Sequence, residues 1–205
     1  MKKRLYISLV MGIAILCFSQ CRRVPFCYYV PQDFWNDYFP YEIGDTVVFQ
    51  NEFDEVKKFA VEYVYVNFGL YEPFTDDADP IPHCSSGSSV KLSNGEETIL
   101  IFFSMMGSPY EKEKYVFDYS LRFDFPQDAL PGPEYDWWKK VQCFTNHQYG
   151  KIKSLNKLFR KTVEFEKESY NGESPDNIYD VKCVRGKGLS EFSEKKKGCT
   201  WKLVE

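Results

Sequence analysis

The residues best suited to acid–base or metal chemistry are few, because the chain of 205 residues has only two histidines, His83 and His147. Cys143 lies four positions before His147, and a thiol beside an imidazole is one form of an activated nucleophile with its base. Such a pair must lie within hydrogen-bond reach. Both residues fall in one predicted strand and the turn after it, where their side chains are not expected to meet. We therefore predict no catalysis there.

Metal ligation is equally poorly supported by the sequence. His83 and Cys84 are adjacent, but a zinc site needs two further ligands that the sequence does not identify. The acidic stretch DDADP at 76–80 lacks the glycine and the terminal glutamate of an EF-hand loop, so it is predicted to be a solvated loop. We predict no metal and no cofactor.

Other catalytic motifs are missing from the sequence. It contains no P-loop, no G-x-G-x-x-G and no G-x-S-x-G pattern. Glycoside hydrolysis needs two positioned carboxylates, and nothing selects two of the 30 acidic residues. Trp137 and Trp138 are the candidates for ligand binding, because an exposed tryptophan face can stack on a pyranose ring. Adjacent strand residues point to opposite faces, so in the alternative one of them enters the core.

The N-terminus predicts export. Lys2, Lys3 and Arg4 precede fourteen uncharged and mostly apolar residues, Leu5 to Phe18. A helix of that length is about 21 Å long at ~1.5 Å per residue, which is short of the roughly 30 Å hydrocarbon core of a bilayer. A positive start followed by a short apolar run is typical of a signal peptide, which we place at residues 1–20.

Cys21 follows the sequence FSQ and resembles the lipobox cysteine of bacterial lipoproteins. The resemblance implies that Cys21 is lipidated and becomes the mature N-terminus. Cys17 fits the pattern less well, because the bulky Leu16 precedes it. More than one acyl chain would anchor the protein stably on the membrane. The alternative is ordinary signal cleavage, which would release a soluble protein.

Charge and length limit the partners and the domain number. Without residues 1–20 the chain has 23 Lys and Arg against 30 Asp and Glu, a net charge of −7. Nucleic-acid binding would need a basic stripe, so no nucleic-acid partner is predicted. The remaining 185 residues fit one domain. We predict a lipid-anchored tether at 21–37 and a single β-rich domain at 38–205.

Five cysteines follow Cys21, and in an exported protein cysteines can be oxidised. Their odd number leaves at least one thiol outside an intramolecular disulfide. Cys84–Cys143 is the candidate disulfide. Cys183 and Cys199 fall on strands once removed, about 9–10 Å apart at ~4.8 Å per strand, whereas a disulfide needs Cα atoms within roughly 7 Å. Both are therefore predicted to be buried thiols.

Period-two alternation predicts several strands. In KYVFDYSLRFDF it places one set of residues in the core, namely Tyr119, Leu121 and Phe123. It places the intervening residues outside, namely Asp118, Arg122 and Asp124. The same rule puts Phe59, Val61, Tyr63 and Tyr65 on one face of a strand, and Tyr179, Val181 and Cys183 on one core face of another. The stretch ETILIFFSMM is apolar on both faces, which favours a central strand covered on each side.

These patterns predict an all-β antiparallel fold of about seven to nine short strands, a sandwich or a barrel-like sheet. Residues 69–95 contain three prolines, an acidic run and a Ser/Gly run, and they are predicted to form a long loop. A short helix is predicted within 151–160, where apolar residues fall at near-helical spacing.

Both ends of the domain also resemble a known group of proteins. The stretches YFPYEIGDTVVFQN and IYDVKCVRGKGLSEFSEKKKGCTWKLVE are similar to those of small, uncharacterised lipoproteins of Bacteroidota-type bacteria. The resemblance implies an antiparallel β-domain behind a lipid anchor and brings no catalytic residues. In that group, acidic residues soon after the lipidated cysteine are linked to surface export. Arg22 and Arg23 stand there in this chain, which favours a periplasm-facing anchor.

Two functions are hypotheses at this point. The first is a non-enzymatic, membrane-anchored envelope lipoprotein that acts as a binding or interaction module, with an envelope protein or a glycan as its partner. The second is a secreted hydrolase or glycan-processing accessory protein whose site residues are dispersed along the chain. A filled core would favour the first, and a deep pocket of polar side chains would favour the second.

Overall fold

The computed structural model describes residues 27, 29–71, 83–108, 115–124, 141–167 and 177–204. They form one sheet of eleven strands, in which every neighbouring pair is antiparallel, and two short α-helices. The predicted all-β, barrel-like fold is confirmed. Cys21, Trp137 and Trp138 lie outside the described residues.

Within the described residues, eleven strands and two α-helices follow one another along the chain. The strands are β1 Thr46–Gln50, β2 Val56–Tyr71, β3 His83–Ser93, β4 Thr98–Gly107, β5 Tyr115–Asp124, β6 Val141–Gly150, β7 Thr162–Glu164, β8 Glu166–Lys167, β9 Ile178–Val184, β10 Gly188–Glu194 and β11 Cys199–Leu203. The helices are α1 Gln32–Tyr38 and α2 Leu155–Leu158, the second preceded by a 3₁₀ turn at Ile152–Ser154.

The sheet nearly closes on itself. Its strand order is β7-β9-β10-β11-β1-β2-β3-β4-β5-β6-β8, and the two edge strands are separated in the chain only by Phe165. The buried amide of Gln142 on β6 spans the seam to β9: its Oε1 accepts from the Ile178 N–H at 2.6 Å and its Nε2 donates to the Ile178 carbonyl at 3.2 Å. Asn146 Nδ2 donates to the Glu164 carbonyl at 2.7 Å. Side-chain amides thus complete the pairing that the backbone leaves open.

The alternation predicted for β5 is confirmed. Tyr119, Leu121 and Phe123 are each at most 1% exposed, in contact with the other buried side chains of the barrel interior. The intervening residues, Asp118, Ser120, Arg122 and Asp124, face outward as half-buried or exposed side chains. Period two therefore assigns both faces of this strand correctly.

The tether predicted at 21–37 is wrong over its C-terminal part, because α1 and Cys27 pack onto the barrel. Phe34, Trp35 and Tyr38 of α1 are buried, and the Phe34 ring lies 4.8 Å from that of Phe103 on β4. The Tyr38 hydroxyl donates to the Phe159 carbonyl at 2.7 Å. A helix of seven residues is too short for its 3.6-residue periodicity to stand out in the sequence.

Electrostatic and backbone contacts also hold α1 in place. Arg185, the residue directly after β9, donates through Nε to Asp37 Oδ2 at 2.7 Å. The neighbouring Gly186 N–H donates to the Asp37 carbonyl at 2.6 Å. Both residues belong to the β9–β10 turn, so α1 is attached to this turn as well as to the barrel core.

The long loop predicted at 69–95 is wrong at its start, since 69–71 end strand β2, and its part at 72–82 lies outside the described residues. It is also wrong over 83–93, which is strand β3. Its Ser/Gly-rich sequence has low strand propensity, but β3 is hydrogen-bonded to β2 on one side and β4 on the other. Such tertiary context overrides intrinsic preference. This strand and the short β7 and β8 raise the strand number above the predicted seven to nine.

Irregularities turn three residues away from the faces that alternation predicts for them. A register shift between Val61 and Tyr63 in the β2–β3 pair reverses the alternation of β2, so that Tyr63 and Tyr65 are 45% and 48% exposed. Asp180 has a φ of 52°, and its neighbour Tyr179 is 46% exposed instead of buried. An extra residue in a strand reverses the face to which the neighbouring side chains point.

The candidate disulfide Cys84–Cys143 is wrong, because Cys84 is bonded to Cys27, with Cα atoms 5.3 Å apart. Cys84 is on the inner face of β3 and fully buried, whereas Cys143 pairs with the outward-facing Arg122 and so lies on the other face of the sheet. Cys183 and Cys199 are buried thiols, as predicted. Burial raises the pKa of Cys183 from 9.0 to about 12.

One charged cluster lies on the inner side of the barrel. Lys57, only 8% exposed, pairs through Nζ with Glu97 Oε1 at 2.5 Å and Glu194 Oε1 at 2.8 Å. Its ammonium also lies 4.8 Å from the centroid of the Trp201 ring. Burial of a charge is tolerated only where partners of this kind compensate for lost hydration.

Candidate ligand-binding surface

The concave surface that we assign as the candidate site lies on the outer face of β2 to β6. This outer trough has a volume of about 500 Å³, and its lining includes Tyr65, Ser89, Phe102, Asp118, Arg122 and His147. A volume of this size lies within the range of small-molecule sites, about 300–1,000 Å³.

Small residues on β3 create the depression. Ser85, Gly87 and Ser89 are the outward-facing residues of β3 in the trough. Tyr65 and Phe102 flank Ser89 in the register of the sheet, about 10 Å apart at ~4.8 Å per strand. A Cβ at Gly87 would lie 3.0 Å from the Phe103 carbonyl oxygen, so this floor position favours glycine.

The first wall carries the accessible ring of Tyr65, and the ring of Tyr63 lies beside it on β2, outside the lining of the trough. Tyr63 and Tyr65 are two positions apart on β2 and face the same side. Their rings are nearly parallel, with an interplanar angle of 7° and centroids 6.1 Å apart. About half of each side chain is exposed. The bulge before Tyr63 is what turns both rings outward, since without it they would point into the barrel.

The second wall combines an aromatic ring with a cation. The Arg122 guanidinium on β5 lies 5.0 Å from the centroid of the Phe102 ring on β4, a cation–π distance. Phe102 and Leu100 are half-buried on this face, and Ser104 and Met106 are exposed. The predicted cover over both faces of β4 is therefore not found in the described part of the chain, and the outward apolar residues form a wall instead.

A carboxylate–imidazole pair lies at the far end of the outer trough. Asp118 on β5 and His147 on β6 are register partners, and Asp118 Oδ1 contacts His147 Nδ1. A carboxylate at Nδ1 favours the tautomer with the proton on that nitrogen, which leaves Nε2 as an acceptor. The pair is about half exposed to solvent.

The order of residues across the sheet does not match that of a catalytic triad. Ser104, Asp118 and His147 occupy one row over β4, β5 and β6, so the carboxylate lies between the hydroxyl and the imidazole. A triad needs the imidazole in the middle. Cys143 and His147 face the same side of β6 four residues apart, about 13 Å at ~3.3 Å per residue, too far for a nucleophile and its base.

Sequence reasoning found only part of this surface. Alternation along β5 predicted that Asp118 and Arg122 face outward. It gave no reason to place them on the same surface as Tyr63 and Tyr65. That connection needs the strand order and the position of the β2 bulge, neither of which is readable from one strand. His83, the other histidine, begins β3 at the end of the sheet beside the buried Cys84.

Comparison with known proteins finds no matching family model, no matching curated protein and no matching solved structure. Within the described ranges, no helix has the length and apolar character needed to cross a bilayer. The described residues also contain no cluster of three metal-ligating side chains.

Proposed function

We propose that this protein is a non-enzymatic lipoprotein of the bacterial cell envelope, anchored through Cys21, that holds a partner in the outer trough. The observation that carries the proposal is the contrast between a filled interior and a concave, chemically mixed outer surface. The interior is occupied by the protein's own rings, among them Phe34, Phe103 and Phe159.

The site chemistry supports binding over hydrolysis. The backbone N–H groups of β3, β4 and β5 are engaged in the ladders on either side, and an oxyanion hole needs N–H groups that are available to the substrate. Ser104 is separated from His147 by Asp118, so no activated hydroxyl is formed. The surface offers a ligand exposed rings, hydroxyls and one carboxylate–imidazole pair.

The position of Cys27 is compatible with an anchor at Cys21. Only six positions separate the two cysteines, and an extended chain of six residues spans about 20 Å. Since Cys27 is bonded to Cys84 on β3, a lipid at Cys21 would keep the barrel close to the membrane surface. With Arg22 and Arg23 behind the cysteine, we propose the periplasmic side, in keeping with the resemblance to small lipoproteins of Bacteroidota-type bacteria.

The anchor is tested by fatty-acid labelling in a bacterial host. The wild type should incorporate a clickable fatty acid, and Cys21→Ser should lose the label, whereas Cys17→Ser should keep it. Equal labelling of the wild type and Cys21→Ser would overturn the lipoprotein assignment.

The binding role is tested by photo-crosslinking in the native envelope. A photoreactive amino acid is placed at Ser104, which is exposed in the outer trough, and at Tyr179, an exposed position on β9 outside it. A discrete adduct from position 104 and none from position 179 is the expected result. The same adducts from both positions, or none from position 104, would contradict a partner at the trough.

A further inference from the structure

We infer that the outer trough binds a neutral oligosaccharide. The inference rests on the proposed binding function and names the class of ligand. It is carried by three features of the described residues, namely the paired backbone of the central strands, the exposed tyrosine rings and the balance of charge.

Recognition at this surface has to come from side chains. The central strands β3, β4 and β5 are paired on both sides along the trough, so the backbone donors and acceptors at its centre are already used. This disfavours an extended peptide, which binds a sheet mainly through main-chain hydrogen bonds at an edge. The outer trough lies on the face of the sheet.

The polar lining consists largely of hydroxyl groups. Ser85 and Ser89 on β3, Ser104 on β4, Ser120 on β5 and Thr145 on β6 all line the trough. A hydroxyl donates one hydrogen bond and accepts up to two, and it can rotate to suit its partner. Sugar hydroxyls have the same dual capacity, so a row of serines can satisfy them in either sense.

The tyrosine rings supply the apolar contact that a sugar ring needs. Tyr65 is 48% exposed and Tyr63 is 45% exposed, so each offers ring surface to a ligand. The face of an aromatic ring carries partial negative charge, which attracts the weakly positive C–H groups on one face of a pyranose. Phe102 is already covered by Arg122, which makes Tyr65 the main stacking platform.

The charges at the trough leave no surplus for an ionic ligand. Asp118 is paired with His147, and Arg122 is the lining cation. Beside Tyr63, Glu62 Oε2 pairs with Lys91 Nζ at 2.7 Å. One carboxylate and one guanidinium within the trough balance each other, so an acidic sugar would gain little net attraction.

The dimensions fit a short chain of sugars. The trough spans β2 to β6, about 19 Å at ~4.8 Å per strand. Along β5 it extends from Asp118 to Arg122, about 13 Å at ~3.3 Å per residue. A surface of this size can contact several successive pyranose rings, with Tyr65 at one side and the Asp118–His147 pair at the other.

The inference is tested by calorimetric titration of the purified protein without residues 1–20, with Cys21 replaced by Ser. The probes are maltohexaose, cellohexaose, mannohexaose and xylohexaose as neutral sugars, and hexagalacturonate as an acidic one. At least one neutral probe should bind, and Tyr65→Ala should weaken its binding about tenfold or more, as truncation of a dominant contact does. Ser89→Trp, which fills the floor, should abolish binding.

Tyr179→Ala is the matched control, because Tyr179 is equally exposed and lies on β9; it should leave binding unchanged. Circular dichroism and thermal unfolding of every variant check that the fold is intact. Binding of hexagalacturonate alone, or of no sugar, would overturn the inference, and the photo-crosslinking result at position 104 would still decide whether the trough holds a partner. Neutral-sugar binding that survives Ser89→Trp would place the sugar site elsewhere and also overturn the inference.

Discussion

The two faces of strand β5 have the same backbone and opposite chemistry. Its inner face, Tyr119, Leu121 and Phe123, is at most 1% exposed and packed among aromatic rings. Its outer face, Asp118, Ser120 and Arg122, lines the outer trough. Inner residues are constrained by volume, since a core packed as densely as a crystal leaves few alternatives. Outer residues are not needed for packing, so their chemistry is informative about binding.

On the inner side, Lys57 with its partners Glu97 and Glu194 is a charged exception to this division. The inner thiol Cys183 and the outer thiol Cys143 extend the same contrast to chemical reactivity. The effect of changing an inner residue can therefore be compared with that of changing an outer one. It can also be compared with a double substitution in which the second change compensates for the first.

The largest expected effect is on thiol reactivity. Burial raises the pKa of Cys183 from its ordinary value of 9.0 to about 12. The reactive thiolate is then about a thousandfold scarcer below pH 9. Iodoacetamide at pH 8 should modify Cys143 in the folded protein and leave Cys183 untouched, as read by mass spectrometry of a digest.

Raising the pH to 10 should still leave Cys183 unmodified in the folded protein, because pH 10 remains below its pKa. In unfolding concentrations of urea both thiols should react at ordinary rates. Modification of Cys183 as fast as Cys143 under native conditions would show that the inner face of β9 is open to solvent.

The next effect concerns the buried cation. Lys57→Met should lower the free energy of unfolding by about 3–5 kcal/mol, because the buried carboxylate of Glu194 loses its 2.8 Å contact to Lys57 and keeps the longer one to Lys197 at 3.9 Å. Lys57→Met combined with Glu194→Gln should recover part of that loss. A urea titration measures the free energy of unfolding of both variants. If Lys57→Met alone were as stable as the wild type, the cluster would be hydrated.

A matched pair of alanine substitutions tests the two faces of β5 directly. Leu121→Ala should lower the free energy of unfolding by about 2–5 kcal/mol through a lost contact and a residual cavity. Ser120→Ala, one position away on the outer face, should change it by less than about 0.5 kcal/mol. Equal changes in a denaturant titration would mean that the face assignment is wrong.

A somewhat smaller loss of stability than that of Leu121→Ala is expected from removing the covalent link. Cys27→Ser removes the disulfide to Cys84 across a sequence separation of 57, and it should lower the free energy of unfolding by about 2–4 kcal/mol. Reducing agent should destabilise the wild type by a similar amount and leave Cys27→Ser unaffected. A reductant effect of the same size in both proteins would assign the loss to another cysteine.

The features that the sequence predicts and those that it misses have different physical origins. The faces of β5 and the burial of Cys183 and Cys199 derive from strict alternation, a local property. The helix α1 is too short for a periodic signal, and β3 has weak strand propensity that its neighbours β2 and β4 override. The bulge before Tyr63 depends on the register with β3, so the sequence of β2 alone could not predict that Tyr63 and Tyr65 face outward. The outer trough depends on both the strand β3 and this bulge.

The Cys27–Cys84 bond also determines how the barrel would respond to mechanical tension. A pull on the N-terminus passes through the covalent link into the end of β3 and bypasses residues 28 to 83, which include α1, β1 and β2. The load then runs along the axis of a strand that is hydrogen-bonded to β2 and β4 on its two sides. In that shear geometry many ladder bonds resist together, whereas a pull across an edge strand would break them one at a time.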